Sequence, residues 1–455
     1  VNTNGTVTQI SGVTQAVGSE VVFESAATKY PAVTFDSNSN RVVIAYMDEG
    51  NSNYGTAIVG TISGTSVSYG TAVVFESATS KPITSTFDRN SNRIVIIYRD
   101  GGNGNFGTAI VGTIDSSDNS ISFGTPVVFS PTGGAGLGVE LAVTFDSNSN
   151  KVVVAYVDGA ASDIGKAIVG TVDSSDNSIS FGTAVTFENA NITSSETIGL
   201  VFDSNSNKVV ISYRDNGNSQ YGTAIVGTVS GTDISFGSPV VFLSATNSFI
   251  ASTFDSTNNK VIIAYKDGGN SNNGTAIVGT VSGTGISFGS AATFDTSTST
   301  DSITATFDSS NNKVFLAYQD GGNSNYGTAV IGTVSGTSIS FGSEVVYNSG
   351  NSVSKDATFD TNNNKVVLVF LDHGNSRGQV ILGTVSGTGV SFSSATTYDE
   401  DQVVYNQAVF DSSTNKLLIA YRDDGNSSYG TARVFAPAIP TNITSENFIG
   451  FAEDT

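Results

Sequence analysis

The chain has 455 residues, a net charge of −21 and an isoelectric point near 4.2. That charge argues against nucleic-acid binding through a basic face and against docking on an anionic membrane. The absence of cysteine excludes disulfides, thiol catalysis and thiolate metal sites, and no apolar run of about 18 residues is present to insert into a membrane.

Taken in chain order, residues 1–23 come first, and 13–23 reads as a lone strand similar to 339–347. A segment of about 52 residues then recurs eight times, anchored by Phe-Asp pairs at Phe35, Phe87, Phe145, Phe202, Phe254, Phe307, Phe359 and Phe410. A fixed period of this size marks a solenoid, a propeller or an array. In the second copy, 83–87 is a short strand, 89–92 a turn, and 93–98 a strand of β-branched and aromatic residues. Residues 100–107 form a loop, 108–113 a third strand, 115–119 a turn and 121–129 a fourth strand. Short strands separated by turn residues make a four-stranded antiparallel meander.

The second strand is apolar on both faces in every copy, so both faces must be covered, as in sheets stacked around an axis. The third strand is small, with Gly-Thr-Ala-Ile-Val-Gly-Thr at 55–61, 107–113, 222–228 and 274–280, which admits close approach of neighbouring sheets. The last copy supplies strands near 408–410, 417–421 and 431–435 but no fourth. The spare N-terminal strand complements it and removes an exposed edge. The expected fold is all-β: an eight-bladed β-propeller of four-stranded antiparallel blades over 1–435, closed by the N-terminal strand. The runner-up, a β-solenoid, would show capping ends and a much shorter rung.

Function is less legible. The second-to-third loops and the blade-to-blade connections fall on one face and vary most, with the longest connections at 130–141, 188–198 and 295–303. Variable loops on a rigid scaffold mark a binding face. Each second-to-third loop carries an Asp; Asp48, Asp100, Asp215, Asp267, Asp320 and Asp423 are the candidate calcium ligands. An aromatic closes five of these loops, at Tyr54, Phe106, Tyr221, Tyr326 and Tyr429, and Asn51, Asn103, Asn218, Asn323 and Asn426 lie within them. Rings with polar tips beside Asn offer a sugar site in each blade, while the structural alternative has the ring packing and the Asp pinning the loop. The turns typified by Asp36, Asn38 and Asn40 read as Asx turns. His373, the single histidine, has no second His or Cys for a metal site. The charged exceptions on the innermost strands are Glu140, Glu196, Asp301, Lys355 and Asp356. Of these Glu140 and Glu196 are the pair a glycosidase would need, without an accompanying Arg cluster or Tyr nucleophile.

The complementary chain ends and the Asp and aromatic of each blade resemble ring-closed propeller lectins and adhesins, with Tyr or Phe where those lectins carry Trp. The tail, 436–455, is similar in its Asn-Ile-Thr-Ser-Glu-Asn-Phe-Ile-Gly-Phe stretch to segments of repeat-rich structural proteins of marine bacteriophages and bacteria. There such a segment leads into further β modules. The resemblance implies a non-catalytic module of a virion appendage or cell-surface adhesin, extracellular, joined to further modules of a longer chain, and binding a surface glycan or receptor. A structural spacer or assembly subunit is the alternative, and a glycoside hydrolase the remote one.

Overall fold

The computed structural model describes residues 15–131, 137–192 and 198–437. They are almost entirely β, with a few short 3-10 turns. Each repeat builds one antiparallel sheet. In the first, residues 28–36 pair with Arg41–Asp48, which pairs with Tyr54–Ser63. The outermost position is filled by two pieces, Ser66–Tyr69 and the start of Val73–Asp88, both paired to Tyr54–Ser63.

Two expectations are corrected by this arrangement. The fourth strand is broken in two, because a tight Gly-containing step separates its halves; in the second repeat Ser120–Phe123 and Val127–Ser130 replace a continuous 121–129. In four repeats, the second among them, the short first strand is instead the second half of a longer one, while Leu137–Asp146, Gly199–Asp203, Thr300–Asp308 and Val403–Asp411 are separate strands. Val21–Asp36, Val73–Asp88, Val240–Asp255 and Val345–Asp360 each run from the outer edge of one sheet to the inner edge of the next. The blade-to-blade connections at these four places are therefore strand, not loop. Ser, Thr and Ala keep the backbone extended there, and a register shift, such as that between Lys29 and Ala32, absorbs the change of sheet.

The Phe-Asp turns form as Asx turns. Asp36 Oδ1 accepts the Asn38 and Ser39 amides at 2.8 and 3.1 Å, and Asp88 does the same for Asn90 and Ser91. The residue closing each turn, from Asn40 to Asn415, has φ between 54° and 59° and is Asn in all eight copies, the non-glycine residue that tolerates this conformation best.

Among the described residues the core consists of eight apolar clusters, each shared by two consecutive repeats. Residues 42–47 are all within 2% of full burial, as a strand covered on both faces requires. Outer-strand Phe75 lies edge-on to Tyr98 of the next repeat at 5.1 Å, over Gly55, where a Cβ would come within 2.4 Å of its ring. The last cluster joins Leu418, Ala420, Ala432 and Val434 to Phe23, Val42, Ile44 and Tyr46 of the first repeat. Residues 16–17 and 21–27 pair antiparallel with Tyr429–Ala436, so the N-terminal strand occupies the outer position of the last sheet.

The glycine at the break in each outer strand sits against the next repeat. A Cβ on Gly237 would lie 1.8 Å from the Thr284 carbonyl oxygen, on Gly342 1.8 Å from Thr388 O, and on Gly18 1.6 Å from Thr65 O of the first repeat. The copy without glycine is Ser393. Its neighbouring repeat is the last, whose outer strand comes from the N-terminus, so no continuous third-to-fourth turn faces it.

Candidate functional site: the loop face and the inner strand mouth

The loop aspartates are the most regular feature of the variable face. All eight, including Asp158 and Asp372, are at most 9% exposed. Asp48 accepts the Asn51 amide at 3.1 Å, Asp100 those of Gly102 and Asn103, Asp215 that of Asn218, Asp267 that of Gly269, Asp320 that of Asn323 and Asp423 that of Asn426. Each candidate calcium ligand thus satisfies backbone donors of its own loop and holds it rigid. Burial raises the Asp267 carboxyl above its ordinary range.

The closing aromatics Tyr54, Phe106, Tyr221, Tyr326 and Tyr429 open the third strands, directly opposite the loop aspartates, and all are half-buried. Asn51, Asn103, Asn218 and Asn323 are exposed, while half-buried Asn426 donates to Glu20 Oε1 at 3.2 Å. His373 is exposed. Glu196 lies outside the described residues, so its pairing with half-buried Glu140 has no geometry to report. Lys355 stands where other copies carry Ile83, Leu141, Ile250 or Ile303, and donates to the Ser352 carbonyl at 2.9 Å.

A second repeated constellation escaped the sequence reading. In four repeats the tyrosine that nearly ends the second strand reaches an acidic residue on the outer strand of the preceding repeat. Tyr46 donates to Glu24, Tyr98 to Glu76 and Tyr213 to Glu188, each at 3.1 Å, and Tyr421 donates to Asp399 at 2.7 Å. Burial, then the carboxylate of Asp48, holds the Glu24 carboxyl above its usual range; burial, then Asp100, does so for Glu76. Burial and then Asp399 push Asp423 up to about 6. The seventh repeat loses both partners, with Phe370 in place of Tyr and Asn348 in place of the acid, but Tyr156 and Tyr265 persist opposite Ser130 and Leu243, so the sequence carries no consistent pairwise signal.

Where the N-terminal strand joins the last repeat, Glu20, Asp399 and Asp423 bring carboxylate oxygens within 4.8 Å of one another. Arg433 Nη2 is 3.4 Å from Glu20 Oε2 and supplies positive charge there. Of the six candidate aspartates, Asp423 alone belongs to such a group among the described residues.

The innermost strands bulge as they reach the loop face. At that bulge Tyr30, Phe249, Ser302 and Tyr405 have φ of 50–58°, a left-handed conformation uncommon for any side chain and an outlier for bulky ones. Tyr30 and Tyr405, from the first and last repeats, are 5.2 Å apart between ring centroids at 39°. The Arg422 guanidinium stands 5.4 Å over Tyr405 and pairs with Asp424, and Lys29 pairs with Glu49 at 2.7 Å. Beside the rings is a cavity of about 300 Å³ reaching Ile83, Leu141 and Gln407. At the opposite end of the inner strands, a hollow of about 430 Å³ lies between Phe35, Phe87 and Phe145, with Arg89 6.0 Å over Phe145.

No protein-family model matches this sequence, and no curated protein is similar to it. Similar solved structures exist. Sqt1 of Saccharomyces cerevisiae aligns at TM-score 0.59 and 11% identity, over 93% of this chain and all of that one. The WD40 domain of SCAP from fission yeast aligns at TM-score 0.51 and 8% identity, over 92% of this chain and 98% of that one. A putative 6-phosphogluconolactonase from Bacteroides uniformis reaches TM-score 0.48 at 10% identity, over 79% and 93%, too distant to bear on activity. The fold is therefore of the β-propeller, WD40-like type. At these identities the likeness speaks to fold alone.

Proposed function

We propose that this chain is an eight-bladed propeller closed by its N-terminal strand, and that it works as a non-catalytic recognition module. It would act outside the cell, on a virion appendage or a cell surface, and take a surface glycan or receptor on its loop face. Closure is supported by the apolar cluster shared between last and first repeats and by the pairing of 16–17 and 21–27 with Tyr429–Ala436.

One observation carries the functional reading. On the loop face a buried Asp pins each second-to-third loop, whose Gly-Asn recurs in seven of the eight copies, while the neighbouring connections between repeats differ in length and sequence, most at 130–141, 188–198 and 295–303. Rigid backbone with variable side chains is the arrangement of a binding surface. The opposite face repeats one Asx turn eight times. The deciding experiment is a glycan array probed with the purified chain, with and without calcium. Selective binding abolished by substitutions on the loop face supports the reading; an empty array in both conditions overturns it for glycans.

A second reading, a structural spacer or assembly subunit, is favoured by Val22, Val74, Val241 and Val346. These outer-strand valines are 38–44% exposed and would suit side-by-side packing between copies. Light scattering across a concentration series tests it, since a spacer of this kind forms oligomers that a Val74→Lys, Val241→Lys variant does not.

A further inference from the structure

We propose that the cavity bounded by Tyr30 and Tyr405 at the loop-face mouth is a single saccharide site for the whole chain, distinct from the five loop aromatics. The inference rests on the recognition reading above and sharpens it to one place and one ligand class.

Three observations meet there. The first is strain. Tyr30 and Tyr405 have φ of 54° and 58°, a strained conformation for a bulky side chain that persists where the surrounding structure over-determines it, as at ligand clamps. Extended backbone would turn these rings elsewhere, so the left-handed bulge is what delivers them to the cavity.

The second is departure from the repeat. The equivalent positions in the second and third copies are Pro82 and Glu140, and in the sixth Ser302. Phe249 of the fifth copy shares the conformation, but the described residues bring two such rings from adjacent repeats together only at Tyr30 and Tyr405. Packing between blades, which is the same in every copy, does not account for the pair.

The third is chemistry. The walls are aromatic and aliphatic, from Tyr30, Tyr405, Ile83 and Leu141, with neutral polar groups on Thr84 and exposed Gln407. The nearby cations already have partners, Lys29 in Glu49 and Arg422 in Asp424. A neutral ligand with one apolar face and a rim of hydroxyls fits this lining, which describes a pyranose ring. The volume of about 300 Å³ stands at the lower end of small-ligand pockets, roughly 300–1,000 Å³, and suits one or two sugar rings.

The test is calorimetric titration of the full chain with glucose, galactose, mannose and N-acetylglucosamine, with glucuronate as the charged control. One site per chain is expected for a neutral sugar. Tyr405→Ala is expected to weaken it about tenfold, the equivalent of ~1.4 kcal/mol. Tyr405→Phe should retain most of the affinity, Gln407→Ala should weaken it without altering the melting temperature, and Tyr54→Ala and Tyr326→Ala should leave it unchanged. A stoichiometry near five that falls with Tyr326→Ala overturns the inner site and leaves the recognition reading intact. Wild-type affinity in both Tyr405→Ala and Gln407→Ala also overturns the inner site alone. Absence of binding by the wild-type chain to every sugar at millimolar concentration, together with an empty glycan array, overturns both.

Discussion

Replacing the outer-strand glycines with alanine should loosen the contact between repeats, and the structure sets the size of the effect. A Cβ at Gly182, Gly237 or Gly289 would stand 1.8 Å from the carbonyl oxygen of Thr232, Thr284 or Thr337, where ordinary contacts begin at 3.4 Å. Each repeat must therefore retreat by up to 1.6 Å, the difference between these two distances, and the obstacle is backbone that cannot rotate away. Overpacking of this kind costs ~1–3 kcal/mol. The glycines are not left-handed, so alanine recovers about 0.4–1 kcal/mol through the unfolded chain. The three sites belong to different interfaces and should add, for a total of about 2–6 kcal/mol. Unfolding entropy of about 2.1 cal/mol/K per residue makes roughly 1 kcal/mol equivalent to 1 °C for a chain of this length. The triple Gly182→Ala, Gly237→Ala, Gly289→Ala variant should thus melt about 2–6 °C lower by scanning calorimetry. Gly285→Ala is the control, since a Cβ there would meet nothing closer than 3.9 Å, and should not lower the melting temperature. A triple variant that melts within about 1 °C of wild type, or a Gly285→Ala loss of equal size, would refute the packing argument.

Phe23→Ala should cost about 3–5 kcal/mol, because this 7%-exposed ring of the N-terminal strand covers Gly430 and meets Tyr46 at 5.1 Å; denaturant titration checks it. Tyr46→Phe removes the donor to Glu24 and should destabilise by about 1–3 kcal/mol, whereas the Tyr46→Phe, Glu24→Asn double variant, which copies Phe370 and Asn348 of the seventh repeat, should recover most of that in a double-mutant cycle. The pH dependence follows from carboxyls raised in the folded state: Glu24, Glu76, Glu344, Asp267 and Asp423, the last to about 6. A folded acid with a raised pKa binds more protons than the unfolded chain, so its contribution is complete below its unfolded pKa and is lost as pH rises through its folded one. Lys355, pushed down to about 7 by burial, acts in the opposite direction above that value. Urea midpoints should therefore rise on acidification from about pH 6.5 to 5, and a flat or falling profile in that window would contradict the buried-carboxylate assignment.

The repeat made most of the fold readable. Phe-Asp anchors, Asn at the left-handed turn position and the two-sided apolar second strand each follow from local rules, and each reappears in the geometry. The spare strand before Glu24 was legible because its Val-Val-Phe matches the outer strands. What stayed hidden depends on distance in the chain. Nothing local distinguishes a continuous strand crossing between two sheets from a strand, loop and strand, since Ser, Thr and Ala suit both. The partnership of Tyr46 with Glu24 spans 22 residues and two sheets, and the repeats do not signal it, since Tyr156 and Tyr265 persist where the acid is replaced by Ser130 and Leu243. Tyr30 and Tyr405 are 375 residues apart in sequence and meet only because the last repeat packs on the first. The loop aspartates were read with two roles open, and their geometry as acceptors of loop amides accounts for their invariance within the repeat without any ligand.

The pairing of Ala16 with Ala436 and Val17 with Phe435 also has a mechanical meaning. The two strands are antiparallel and their free ends emerge side by side, so tension applied through both ends loads the outermost hydrogen bonds one at a time, like a zip pulled from its open end. Force applied across any other sheet, between its inner and outer strands, would have to shear several bonds together. Tension applied at Ala16 and Ala436 would therefore part these two outermost pairs before those that hold 21–27 to the same strand.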